Sequence, residues 1–197
     1  MHSPLPEDQE PKPKIRAARW PSIARRIRVP LSFALAVFYC WLSRPTAKSI
    51  VFGALVAIPG LLIRALASGH VQKNEQLTTS GPYAYTRNPL YLGSMILAGG
   101  FAIAARSWVI VVAMSIIFVA IYLPVILSEE AFLRRNFAGF DEYTARVPRL
   151  LPRISAVGNH EVRFSWDLYR KHREYNAILG AVVMFAALAS KLLLLSK

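Results

Sequence analysis

Two polar stretches of this chain concentrate side chains able to hold and orient a charged small molecule. The first runs from Gly69 through His70, Lys73 and Gln76 to Gly81-Pro82-Tyr83-Ala84-Tyr85-Thr86-Arg87-Asn88-Pro89-Leu90-Tyr91. Pro89 suits the first turn of a helix. Arg87 and Asn88 therefore fall at a helix N-terminus, where unpaired N–H groups and the macrodipole favour an anionic group. The second stretch is Ser128-Glu129-Glu130-Ala131-Phe132-Leu133-Arg134-Arg135-Asn136-Phe137, directly after a long apolar run. Adjacent carboxylates there are costly unless paired or wet. Neighbouring helix positions differ by ~100°, so only one of the two points fully into any given pocket. A plainer reading stands beside each. The first stretch also reads as a solvated loop with Arg87 beside a tyrosine belt. The second also reads as a new helix capped by Ser128, with Arg134 pairing with Glu130 at i+4.

The elements that position these residues are membrane helices. The chain has 197 residues, 54% of them apolar, yet 24 Lys and Arg stand against 11 Asp and Glu, a net +13. A soluble nucleic-acid domain does not carry several long uncharged apolar runs, and a disordered polycation has far fewer aliphatic residues. One cysteine, Cys40, allows no intrachain disulfide. Runs free of charge cover 29–43, 49–63, 88–105, 107–128 and 175–190, and a span takes about 20 residues. The shorter runs gain length where Arg28, Arg44, Lys48 and Arg64 lay their stems along a helix and lift their charges to the interface. The expectation is an all-α polytopic membrane protein with about five transmembrane helices plus cytoplasmic amphipathic helices. Pro59-Gly60 and Pro124 are expected to kink the second and fourth spans.

Charge asymmetry gives the orientation. Residues 1–28 hold seven Lys and Arg, 44–48 two, 65–87 two, the Arg106 turn one and 129–174 nine. The N-terminus and both polar stretches are thus expected to be cytoplasmic, and the C-terminus external. No signal peptide is apparent, because the first 28 residues lack an apolar core. The expected organisation is a disordered and basic segment at 1–28, with an interfacial helix over 16–28, a membrane core at 29–153, and a linker helix with a final span at 154–197.

Other chemistry finds little support. There is no Gly-x-Gly-x-x-Gly after a strand, no phosphate-binding Walker loop and no nucleophile elbow. His2, His70, His160 and His172 lack i, i+4 spacing and read as solvated loop residues, so no metal site is expected. On the polar side, cations (Lys73, Arg87, Arg134, Arg146, Arg149), Glu129 and Glu130, and aromatics (Tyr83, Tyr91, Phe137, Tyr143) could surround a zwitterionic cofactor entering from water. A lipid-like substrate would enter sideways between helices.

The order and spacing of Gly81-Pro82-Tyr83-x-Tyr85-x-Arg87-Asn88-Pro89-x-Tyr91-Leu92-Gly93, Glu129-Glu130-x-x-Leu133 and Val147-Pro148-Arg149-x-x-Pro152 resemble the isoprenylcysteine carboxyl methyltransferase and phospholipid methyltransferase group of membrane enzymes, over roughly residues 50–153. The resemblance implies S-adenosyl-L-methionine as cofactor and a lipophilic methyl acceptor reached through the membrane. By the resemblance, the segment Arg87-Asn88-Pro89-Leu90-Tyr91 and the pair Glu129-Glu130 hold the cofactor. With the residues read above, the expected cofactor contacts are Lys73, Tyr83, Arg87, Asn88, Pro89, Tyr91, Leu92, Gly93, Glu129, Glu130 and Leu133, and Arg87, Glu129, Glu130 and Arg149 are expected to carry the chemistry. Asn88 stands where the group usually has His, Ala138 where Gly is common, and Phe140 at a usual Tyr position. Asn88 donates or accepts a hydrogen bond but does not titrate near neutrality. Membrane sterol reductases share an Arg-x-Pro-x-Tyr segment, so an NADPH-dependent reductase is the rival reading, and a non-catalytic membrane protein a third. The acceptor stays open among an isoprenylcysteine carboxylate, a phospholipid amine, a quinone-like or sterol-like hydroxyl and a hydrophobic small molecule.

Overall fold

The computed structural model describes residues 35–72, 76–157 and 163–195. The tail at 1–14, the basic stretch at 16–28 and Lys73 lie outside the described residues. Helices build all the regular structure, and there is no strand among the described residues. Residues 35–42 form α1. They are followed by α2 (Ala47–Ser68), a single 3₁₀ turn (Gly81–Ala84), α3 (Pro89–Ala105), α4 (Trp108–Ile117), a widened turn (Phe118–Tyr122), α5 (Leu123–Asn136), α6 (Phe140–Arg146), α7 (Trp166–Lys171) and α8 (Tyr175–Leu195).

Three described helices are long and apolar enough to cross a membrane: Ala47–Ser68, Trp108–Asn136 and Tyr175–Leu195, while Pro89–Ala105 is a shorter apolar helix. Of the first expected span, only residues 35–42 are described as helix. The large side chains Val51, Phe52, Leu55, Ile58 and Leu62 of α2 face outward, as lipid-facing positions do.

α2 begins at a reciprocal cap, in which Thr46 Oγ1 accepts from Ser49 N at 3.2 Å and Ser49 Oγ accepts from Thr46 N at 2.9 Å. Pro59 lies inside α2 without ending it. The helix packs on α3 through small residues, since apolar area gives no drive for association in lipid and close backbone approach must supply it. A Cβ built on Gly60 would lie 2.7 Å from Gly93 O, and one on Gly53 2.5 Å from Gly100 O. Ser49 Oγ also donates to Ala104 O at 3.1 Å.

The α1–α2 and α3–α4 turns meet at one end of the bundle, where Arg44 N donates to Ala105 O at 2.8 Å. At that same end, Lys191 of α8 donates to the carbonyls of Cys40, Trp41 and Ser43 at 2.6, 3.0 and 2.7 Å. α8 also joins the bundle through Phe185, stacked on Phe101 at 5.0 Å. Near its start, Glu174 pairs with Arg64 at 2.7 Å, and the same guanidinium donates to Ser94 Oγ. Arg64 was expected to lift its charge to the interface; instead it ties α2 to α3 and to the residue before α8.

α4, the widened turn and α5 form one unbroken helix of 29 residues. Pro124 has no N–H to return to the preceding turn, and the ladder there loosens, with Leu123 N donating to Phe118 O five residues back. The continuity overturns the reading in which Ser128 opens a new helix: Ser128 Oγ donates back to Val125 O at 2.8 Å inside the helix. Arg134 pairs with Asp141 at 2.7 Å rather than with Glu130.

Candidate functional site

At the other end of the bundle the segment around residues 83–88 is laced to the chain after α6. Arg87 N donates to Pro148 O at 2.9 Å, Arg153 N to Tyr85 O at 3.0 Å and Val157 N to Ala84 O at 3.0 Å. Thr86, buried, donates its hydroxyl to both Arg149 O and Leu150 O at 3.1 Å. Tyr143 Oη donates to Tyr83 O at 2.7 Å, and Phe140, Tyr143 and Val147 make a small core beneath. Burial pushes the phenols of Tyr83 and Tyr143 above the ordinary tyrosine range; at Tyr143 the nearby Arg87 acts the other way and Glu130 reinforces the rise.

This lacing delivers three separate chain segments to one carboxylate. Glu130, with a side chain 10% exposed, pairs with Arg149 NH2 at 2.9 Å and lies 3.6 Å from Arg87 NH1. Arg149 Nε also donates to it, at 3.0 Å from Oε2. Asn88 Nδ2 donates to Glu130 Oε1 and to Arg149 O, each at 3.1 Å. Both partners of that amide are acceptors, so Asn88 serves as a donor here, the role a protonated ring nitrogen of His would also fill. Two guanidiniums and an amide thus satisfy Glu130, a buried charge that unpaired would be prohibitive.

Glu129, one position earlier, is exposed and accepts from Tyr91 Oη at 3.0 Å. No cation among the described residues forms an ion pair with it. Tyr91 in turn meets Tyr122 edge-on at 5.9 Å. Both glutamates border an open cavity of about 220 Å³, together with Gln72, Gln76, Tyr83, Arg87, Asn88, Pro89, Tyr91, Phe132, Leu133 and Phe140. Arg87 Nε is buried there without a hydrogen-bond partner among the described residues.

Of the residues singled out in the sequence, Tyr83, Arg87, Asn88, Pro89, Tyr91, Glu129, Glu130 and Leu133 line this cavity. Arg149 reaches it only through Glu130. Leu92 and Gly93 are not among its lining residues. Gly93 faces α2, where an added Cβ would lie 2.6 Å from Gly60 O. Phe132 and Phe140, which the motifs do not mark, also line the cavity; their signal in the sequence is the aromatic spacing after the glutamates. His70 is not a solvated loop residue: it is buried, with Nδ1 2.7 Å from Leu66 O and its ring beside Gly81 and Phe164. His172 Nδ1 lies 3.0 Å from Ser68 O, so two imidazoles hold the carbonyls at the end of α2. No group of three or more His, Cys, Asp or Glu converges as a metal site among the described residues.

The donor set suits a zwitterionic amino acid joined to a flat apolar ring. It offers a carboxylate, Glu129, with no ion pair among the described residues, a guanidinium, Arg87, and aromatic walls.

Residues 53–139 match the phospholipid methyltransferase family, which bears out the resemblance read from the motifs. Over 116 residues the chain is 34% identical to the nickel-cobalt-cadmium resistance protein NccN of Alcaligenes xylosoxydans xylosoxydans, covering 58% of this chain and 54% of that protein. It is also 34% identical over 116 residues to the cobalt-zinc-cadmium resistance protein CzcN of Cupriavidus metallidurans, covering 58% and 53%. The chain spans about half the length of the curated relatives it matches. No solved structure matches.

Proposed function

We propose that the chain is an integral membrane methyltransferase that uses S-adenosyl-L-methionine to methylate a lipophilic acceptor at the cavity between Arg87 and Glu129, with that cavity on the cytoplasmic side. The observation that carries the reading is the contrast between adjacent glutamates: Glu130 is locked by Arg87, Asn88 and Arg149, while Glu129 borders the cavity with no ion pair among the described residues. The family match over residues 53–139 supports it.

When bound, S-adenosyl-L-methionine supplies an electrophilic methyl group on a sulfonium. In this reading Arg87, held by Glu130 and by its backbone bond to Pro148, offers its guanidinium to a carboxylate. Glu129, steadied by Tyr91, takes an ammonium or ribose hydroxyls. Tyr83, Phe132 and Phe140 provide an apolar wall. Glu130 positions its partners and is not the base, because its lone pairs are already engaged. An amine acceptor would give its proton to Glu129, whereas a carboxylate acceptor needs no base. Positioning within about 3 Å of the methyl carbon supplies much of the acceleration for such a displacement.

The relatives' names speak of resistance to nickel, cobalt, zinc and cadmium. Among the described residues no group of three or more His, Cys, Asp or Glu converges at this cavity, and the family match supports methyl transfer. The NADPH reductase reading needs several cations for phosphates, and among the described residues Arg87 is the one cation lining the cavity.

Titration calorimetry with S-adenosyl-L-methionine tests the assignment. Saturable binding is expected, weakened about tenfold or more by Glu129→Gln and by Arg87→Ala. Unchanged affinity in both, or saturable binding of NADPH alone, would sink it. Mass spectrometry of a lipid extract incubated with isotopically labelled methyl donor identifies the acceptor.

A further inference from the structure

The end of the bundle away from the cavity has a different character. The contact between Arg44 N and Ala105 O, 2.8 Å, brings the α1–α2 and α3–α4 turns together. A shallow depression there is lined by Thr46, Lys48, Ser49, Phe52, Ile103 and Arg106. Arg44, Lys48 and Arg106 are all exposed. Every Asp and Glu among the described residues lies on α5, on α6 or between Trp166 and Glu174, away from these two turns. Lys191, the remaining cation at this end among the described residues, is committed to the carbonyls of Cys40, Trp41 and Ser43.

We propose that Lys48 and Arg106 form a binding site for the phosphate of an anionic phospholipid headgroup, with the acyl region lying along Phe52 and Ile103. The two halves of such a lipid match the two halves of the depression. Exposed cations without a carboxylate complement a phosphodiester. Just below them Phe52 and Ile103 stand 60% and 43% exposed, an apolar continuation that a free inorganic anion cannot use. Trp41 and Trp108, 73% and 82% exposed near the same two turns, are the amphipathic rings that settle at headgroup depth. The site is separate from the methyl-transfer reading and does not depend on it.

The test uses the full chain in uncharged detergent. Dioctanoyl-phosphatidylglycerol, dioctanoyl-phosphatidylcholine and inorganic phosphate are titrated separately, with thermal unfolding and tryptophan fluorescence as readouts. A saturable upward shift in unfolding temperature is expected with phosphatidylglycerol alone. Apparent affinity should fall about tenfold or more in Lys48→Gln/Arg106→Asn, where Asn tolerates the left-handed backbone at position 106 (φ 52°). Lys48→Arg should retain binding, as should Arg135→Gln at the opposite end. Should the double variant fail to fold, Lys48→Gln alone carries the comparison and must weaken binding severalfold. An equal response to phosphatidylcholine, full binding by the charge-removed variants, or an equal response to inorganic phosphate would overturn the proposal.

Discussion

Glu130 on α5 receives Arg149 through two nitrogens, Nε at 3.0 Å and NH2 at 2.9 Å, across nineteen residues of chain that include all of α6. The pair closes a loop around the cavity and does so with unequal partners: the Glu130 side chain is 10% exposed and that of Arg149 42%. Glu130→Ala leaves the Arg87 charge buried without its counter-ion and should cost about 3 kcal/mol. Arg149→Gln removes a half-solvated partner while Arg87 and Asn88 remain, and should cost about 1 kcal/mol. Unfolding of the two variants in one detergent checks the order; equal losses would contradict it.

Asn88 sits 3.1 Å from Glu130 Oε1 as a donor. Asn88→Asp keeps the shape and replaces the donor with an acceptor, placing two carboxylates in contact. The expected outcome is a lower unfolding temperature and loss of S-adenosyl-L-methionine binding by about tenfold or more, read by calorimetry. Asn88→His restores a donor and should retain measurable affinity.

The α2–α3 contact leaves no room at Gly60, where an added Cβ would lie 2.7 Å from both Gly93 O and Leu97 N. Backbone atoms cannot rotate away, so Gly60→Val should force the helices apart at a cost of roughly 1–3 kcal/mol. Because α3 carries Asn88 and Tyr91 at its start, cofactor affinity should fall as well. Gly99→Ala, which meets nothing within 4 Å, should leave both unchanged.

Tyr143 is held neutral by burial, its phenol raised above the ordinary value of 10.0. The unfolded chain therefore ionises first. The stabilisation is fully present below pH 10 and is lost as pH rises from there toward the folded-state value. Thermal unfolding between pH 8 and 11 should show a steep alkaline fall that is shallower in Tyr143→Phe, a variant that also gives up the bond to Tyr83 O, worth about 1 kcal/mol.

The membrane architecture and the presence of the glutamate pair beside Arg87 and Asn88 were legible in the sequence, because charge gaps and helix-start signals are local. What was not legible depends on tertiary partners. Ser128 reads as a cap only if the chain breaks there, and the helix runs through it. Arg134 is at the right spacing for Glu130, yet Glu130 faces inward and finds Arg149, whose position is set by hydrogen bonds to Thr86 and Asn88. Leu92 and Gly93 follow Tyr91 in the motif, but steps of ~100° turn them away from the cavity. His70 looked solvated because nothing near it in sequence announces Phe164.

The unbroken helix from Trp108 to Asn136 sets a depth. Trp108 and Glu129 are separated along it by about 32 Å at ~1.5 Å per residue, close to the ~30 Å hydrocarbon thickness of a bilayer. With Trp108 at one water boundary, Glu129 stands at the other. An amphiphile anchored in the near leaflet could then bring its polar end level with Glu129 while its tail stayed among the acyl chains, and a purely apolar molecule would have no reason to stop there.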